Sequence, residues 1–411
     1  MASLLKSKSL IVALTILLLV GAPGLLAQSA TANGNNLSAV VDSNNQFAIN
    51  LYAKINAKDT GKNIFVSPFS ISTALAMTFE GSSNNTRKQM AAVLHLNLPD
   101  ADRHAGYSAL LAATSAGPGK HYKLDVANAL WGQKGYKFEL PFLNVTGKFY
   151  GGALKPVDFA GNTEGARVEI NTWVEDHTAK MIRDLIPKGA INPDTPLVLT
   201  NAIYFKGKWA SPFKAAATKD APFNVNDSVK VQVPMMSQTG RFRYVHEDGV
   251  AAIELPYAGD DLSMIAILPD GDMEKFSKSL SLDTIRQLCV DMYSEDVDIF
   301  LPRFKLEAGY GLGGMLSEMG MPDAFSEKLA DFSGITGRPD LYISKVLHKA
   351  RVEVNEEGSE AAAATAVIMA PKSVHLEMKQ VFRADHPFLF MIVHNSTGAI
   401  LFMGRLSNPT I

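Results

Sequence analysis

An α+β domain is what this chain predicts, on three observations: helical periodicity gathered in the first half, strand patterns gathered in the second, and no regular strand-helix alternation between them. Hydrophobic residues make up 47% of the 411, and 39 Lys and Arg against 41 Asp and Glu leave a net charge of −2. Such a chain has material for a large core. It lacks the concentrated basic field that would recruit nucleic acid or an anionic membrane surface, so neither is expected as a partner. No repeat, low-complexity linker or composition break divides residues 33–411, which read as one domain.

The first 32 residues stand apart. Lys6 and Lys8, an apolar run from Leu10 to Val20, and the small residues Ala30-Thr31-Ala32 form the pattern of a secretory signal with a cleavage site after Ala32, Ala27 being a second candidate. The run is short for a membrane span. A secreted, extracellular protein is the expectation. With Cys289 as its one cysteine the chain makes no internal disulfide, so its stability has to come from packing.

Along the chain, Phe47, Leu51 and Ile55 share one face of a helix, and Thr86 to Leu94 is also helical in pattern. Between them Ser67-Pro68 supplies an N-cap and a first-turn proline for Phe69 to Phe79, whose nearly unbroken apolar character predicts a buried helix. A further helix is predicted from Thr163 to Ile182, with Ile170, Trp173, Val174 and His177 on the stripe that meets a sheet. From Leu197 the pattern turns to strands: Leu197 to Phe205, Val229 to Met236, Ala252 to Leu255, Leu262 to Leu268, Val297 to Phe304, Ile343 to Val354, Pro387 to His394 and Ile400 to Met403. The last two flank Asn395-Ser396-Thr397-Gly398, a hairpin turn.

Gly309 to Gly314 satisfies the glycine spacing of a dinucleotide fingerprint, but Pro322 to Phe332 offers no second strand to carry the ribose-binding acid. The histidines have no H-E-x-x-H spacing and no serine sits in G-x-S-x-G, so neither catalytic residues, nor a metal site, nor a cofactor is expected. His348, in an apolar strand, reads as a hydrogen-bonded core histidine.

The most unusual segment directly follows that strand: Glu356, Glu357, Gly358, Ser359, Glu360, Ala361, Ala362, Ala363, Ala364, Thr365, Ala366, Val367. Its alanines and the potential cap at Ser359 favour helix, whereas its continuation through Val367-Ile368-Met369-Ala370-Pro371-Lys372-Ser373 favours extended chain. As a strand it would turn Ser359, Ala361, Ala363, Thr365 and Val367 to one face, small enough to enter an existing sheet.

Four blocks, Asn63 to Ser70, Thr200 to Trp209, Leu301-Pro302-Arg303-Phe304 and Ile343 to Ala350, resemble the serpin family in sequence and order, and Glu356 to Thr365 resembles the hinge of its inhibitory members. The resemblance implies three β-sheets, eight or nine helices and an exposed reactive loop. A protease cleaves that loop, forms an acyl-enzyme, and is dragged away as the loop inserts into the main sheet. Ser67, Ser70, Asn201 and His348 match the family's shutter. Arg303, Glu356 and Trp209 match its breach. Counting seventeen residues from Glu356 puts the reactive bond at Lys372-Ser373, bait for an extracellular trypsin-like serine protease; an alternative is cleavage near Met369 or Ala370 by elastase-like or subtilisin-like enzymes. A monomeric suicide inhibitor is therefore expected, with a non-inhibitory carrier, chaperone or storage member as the rival.

Overall fold

The computed structural model describes residues 23–117, 119–359 and 379–410. The first third holds helix α1 (Pro23–Lys58), the short strand β1 (Ile64–Val66) and helices α2 (Pro68–Phe79), α3 (Asn84–Leu94) and α4 (Asp100–Thr114) in that order. Then come β2 (Tyr122–Gln133), α5 (Leu140–Tyr150), β3 (Ala153–Val157), α6 (Thr163–His177) and β4 (Leu197–Lys208). Strands β5 (Lys219–Asn224), β6 (Lys230–Glu247), β7 (Val250–Pro256) and β8 (Leu262–Pro269) precede helices α7 (Met273–Ser279) and α8 (Leu282–Asp291). The remainder holds β9 (Tyr293–Pro302), β10 (Phe304–Gly311), α9 (Gly313–Met319), α10 (Ser333–Thr336), β11 (Lys345–Asn355), β12 (Gly358–Ser359), β13 (Gln380–Arg383), β14 (Phe388–His394) and β15 (Ala399–Leu406).

The architecture is α+β, with ten α-helices among the described residues. Hydrogen bonding counts two sheets where three are implied by the resemblance, because β6 runs unbroken for 18 residues and pairs with β5, β9 and β7 in turn. Nine strands thus join in the order β1-β15-β14-β8-β7-β6-β9-β13, with β5 branching from β6. The six-stranded sheet has the order β10-β11-β12-β4-β2-β3. Below the two-residue β12, β11 pairs directly with β4 in parallel over seven positions, Lys345↔Val198 to Arg351↔Tyr204.

Helix α2 lies between the sheets, against β15 on one side and β2 and β4 on the other. All twelve of its residues are buried, as the apolar run predicts, and the Ser67 side chain caps it by accepting from the Ser70 N–H. Phe47, Leu51 and Ile55 of α1 are completely buried on one face.

Strands β4 and β6 run on past their predicted ends at Phe205 and Met236, and two other predicted boundaries move for a local physical reason. Helix α6 ends at His177, since Ala179 and Lys180 adopt left-handed dihedrals (φ 50° and 62°) that turn the chain back. Ile182 and Ile186 stay on the buried side of that turn and pack with Val174 and Ile170 over the six-stranded sheet, so helical periodicity outlasts the helix. The expected strand Val297 to Phe304 is two strands: β9 belongs to one sheet and β10 to the other, and the corner between them is Arg303, whose N–H donates to the Pro234 carbonyl. Gly309 and Gly311 of the fingerprint lie in β10, with the seven-residue α9 after them, so no phosphate-binding turn forms there.

Leu75, fully buried on α2 between the sheets, is a point where the core's tight packing can be tested. Leu75→Ala is expected to cost about 2–5 kcal/mol, read as a lowered urea midpoint with an unchanged far-ultraviolet spectrum at zero denaturant.

Candidate functional site

The site begins where the smaller sheet opens at its top. Gly358 and Ser359 occupy a strand position between β4 and β11, pairing antiparallel with Lys208 and Gly207 on one side and with Asn355 and Val354 on the other. Gly358 has φ 148°, and a Cβ there would lie 2.1 Å from the Gly207 carbonyl oxygen, so only glycine admits this close approach. Ser359 is fully buried, and its hydroxyl lies 2.8 Å from that of Tyr257.

The turn leading into this position is held from three sides. The Trp209 indole donates to the Asn355 carbonyl (2.9 Å), its backbone N–H to the Glu357 carbonyl (2.9 Å), and the Phe213 N–H to the Glu356 carbonyl (2.8 Å). Arg303, on the corner between sheets, pairs with the buried Glu356 carboxylate, which also accepts from the Thr218 hydroxyl at 2.6 Å. Burial pushes the Glu356 carboxyl up, but the bonds from Arg303 and Thr218 outweigh it and hold the group below the usual carboxylate range. Arg303, Glu356 and Trp209 are therefore one cluster around the hinge.

Lower down, a chain of buried polar groups runs under the β4–β11 seam. The Ser67 N–H donates to His348 Nε2 (3.2 Å), so the histidine proton resides on Nδ1 and is donated to Asn201 Oδ1. The Asn201 amide nitrogen donates to Ser70 Oγ (2.6 Å) and Asn128 Oδ1, while the Ser67 hydroxyl donates to the Leu401 carbonyl (2.7 Å). Asn201 and His348 are register partners across the seam, which explains their meeting. Burial pushes the His348 imidazole down to about 3, against a smaller upward pull from its bond to Asn201.

Ser67, Ser70, Asn201 and His348 thus meet, and so do Arg303, Glu356 and Trp209. Glu360, Ala361, Ala362, Ala363, Ala364, Thr365, Lys372 and Ser373 lie outside the described residues. Sequence reading missed Asn128, Thr218 and Tyr257. Asn128 could have been found as the polar residue inside the apolar stretch Ala127 to Trp131; nothing local distinguishes the other two. Among the described residues, no group of three or more His, Cys, Asp or Glu is placed to hold a metal ion, and no described helix is long and apolar enough to cross a membrane.

A two-sheet α+β domain with a wholly buried helix between the sheets and a hinge entering one of them defines a class. The serpin (serine protease inhibitor) family model matches residues 42–409, and the chain belongs to that family. It is 44% identical over 371 residues to the leukocyte elastase inhibitor of Xenopus tropicalis, covering 88% of this chain and 97% of that protein. Against the leukocyte elastase inhibitor of Homo sapiens the identity is 42% over 376 residues, covering 89% and 98%. An uncharacterised serpin-like protein of Thermococcus kodakarensis is 43% identical, covering 90% and 86%. Among solved structures, uncleaved ovalbumin superposes with a TM-score of 0.81 at 31% identity, covering 91% of this chain and all of that one. Human thyroxine-binding globulin complexed with its hormone gives 0.83 at 32%, covering 91% and 99%.

The depressed imidazole has a signed consequence. Below pH 6.5 the unfolded chain takes up a proton at His348 that the folded chain refuses, so stability is full above that pH and falls as pH drops toward 3. The loss is about 1.4 kcal/mol per pH unit across that window. Thermal midpoints measured from pH 7 to 4.5 should therefore fall less steeply in His348→Gln than in the parent; parallel slopes would refute the assignment.

Proposed function

We propose that the chain is a secreted suicide inhibitor of serine proteases that offers Lys372-Ser373 as bait and traps its target by loop insertion. The observation that carries this reading is the hinge: Gly358 and Ser359 already sit as the first two residues of a strand between β4 and β11. Stepping forward from Ser359 in the same register, one residue back on each neighbour per residue inserted, would bring Thr365 beside Asn201 on β4 and His348 on β11. Thr365 would then share the inward face with Ser359, and the alanines between them need little room. Insertion of Ser359 to Lys372, fourteen residues at roughly 3.4 Å each, would carry an attached protease on the order of 45 Å.

In the trapping step the protease serine oxygen attacks the Lys372 carbonyl carbon. The peptide bond to Ser373 breaks, the new Ser373 amine leaves with the proton, and an ester holds protease to inhibitor. New ladder hydrogen bonds and buried side chains supply the driving force for insertion. A lysine suits a specificity pocket with an acid at its base. The names of the elastase-inhibitor relatives favour a second reading, cleavage after Met369 or Ala370 by an elastase-like enzyme. Secretion belongs to the same proposal: cleavage after Ala32 would remove only chain that precedes Val40, the first buried residue described on α1.

Incubation with trypsin and with an elastase, followed by denaturing electrophoresis and mass measurement of the released C-terminal peptide, separates the readings. An SDS-resistant trypsin complex with a peptide beginning at Ser373 is expected, and Lys372→Glu should abolish it while leaving the thermal midpoint unchanged. A peptide beginning at Ala370 or Pro371 would move the bait to the elastase reading. The absence of any covalent complex would favour a carrier or storage role. Cleavage in the loop should also raise the melting temperature sharply, because exposed chain becomes paired sheet; equal melting of cleaved and intact forms would exclude insertion.

A further inference from the structure

The hinge of the uncleaved chain is seated in the sheet before any protease acts, and beside the contacts of Trp209, Phe213 and Arg303 one further side chain meets it. Tyr257 follows β7 and is fully buried, with its ring stacked on Trp209 at 4.6 Å and met edge-on by Phe205 at 5.1 Å. Its backbone bridges to Trp209. Gly207 leaves the room for this ring, since a Cβ there would approach Tyr257 Cδ1 to 2.9 Å. So clamped, the phenol has little freedom to turn, and its hydroxyl points at Ser359 Oγ, 2.8 Å away.

Each hydroxyl of this pair is buried and has the other as its side-chain partner among the described residues. If the hinge left the sheet, Ser359 would regain water while the Tyr257 hydroxyl, walled in by Trp209 and Phe205, would lose its partner. The backbone pairs of Gly358 and Ser359 would be lost as well. We propose that Tyr257 is a positioning residue that latches the hinge in the uncleaved protein, through its hydroxyl pair with Ser359, and so sets how much of the bait loop is free to meet a protease. In this state the paired segment extends through Ser359, two residues further than it would with the hinge released.

The latch itself is independent of the inhibitory reading and can be measured on the uncleaved chain alone; its effect on capture rests on that reading. Amide hydrogen exchange of the peptide spanning Glu357 to Ser359 is the probe. The parent should show protection there. Tyr257→Phe keeps the ring and its stacking but strands the Ser359 hydroxyl in an apolar setting, and should accelerate exchange of the hinge amides at least about fivefold. Adding Ser359→Ala removes the stranded group and should restore protection, because replacing both partners with apolar groups of similar shape is close to neutral.

A merely loosened core would not be rescued in this way. Unprotected hinge amides in the parent, unchanged exchange in Tyr257→Phe, or a double variant as exposed as the single one would each overturn the latch. Should Tyr257→Phe not fold, Ser359→Val in the parent background serves instead: it removes the same hydroxyl pair from the other side and should likewise deprotect the hinge, with unchanged exchange counting against the proposal. For capture, the second-order rate of complex formation with trypsin should differ between parent and Tyr257→Phe and return to the parent value in the double variant. Equal rates in all three would break the link between latch and bait.

Discussion

The parallel seam between β4 and β11 is the joint on which the rest of this structure depends. Its two strands pair over seven residues, but both belong to a sheet whose top already admits two residues of a further strand. Parallel pairing is slightly weaker per residue than antiparallel pairing, so a sheet that closes this way leaves free energy available to an inserting antiparallel strand. What keeps the seam shut is local chemistry on either side of it.

Under the seam that chemistry is polar. An apolar interior would resist opening only in proportion to the area exposed, whereas the chain from Ser67 through His348 and Asn201 to Ser70 and Asn128 has a defined set of partners. Separating β4 from β11 breaks the Asn201–His348 bond and leaves buried groups short of a partner, a penalty felt at the start of the motion. The same chain is anchored to α2, whose cap is Ser67, so the helix between the sheets is tied to the seam above it. At the top the restraints are of another kind: glycines at 207 and 358 allow backbone and aromatic ring to come close, and Arg303 neutralises the buried Glu356 carboxylate.

The position of Arg303 shows how one turn of the chain serves several ends. Because the backbone changes sheets between Pro302 and Phe304, the guanidinium projects from a rigid corner rather than from a loop. Its partner Glu356 lies one residue beyond β11, so the pair links the corner to the hinge across 53 positions of sequence. Thr218 completes the carboxylate's shell from a third segment. A charge placed there without all three would be expensive to bury.

Local patterns in the sequence were enough to determine the α+β class, the wholly buried α2 behind Ser67-Pro68 and the apolar strand from Leu197, because each is written in the spacing of neighbouring side chains. The resemblance extended this to Ser67, Ser70, Asn201, His348, Arg303, Glu356 and Trp209 as members of two clusters. Only the tertiary structure decided which atoms meet: that Asn128 joins the first cluster, that Thr218 joins the second, and that Tyr257 reaches Ser359 across 102 residues. It also decided where the helix beginning at Thr163 stops and where the strand through Arg303 divides, since left-handed residues and a change of sheet leave hydrophobic periodicity intact. The physical reason is common to all of these: periodicity records which face of an element is buried, while hydrogen-bond partners and strand neighbours are set by topology, which brings together residues that carry no local mark of one another.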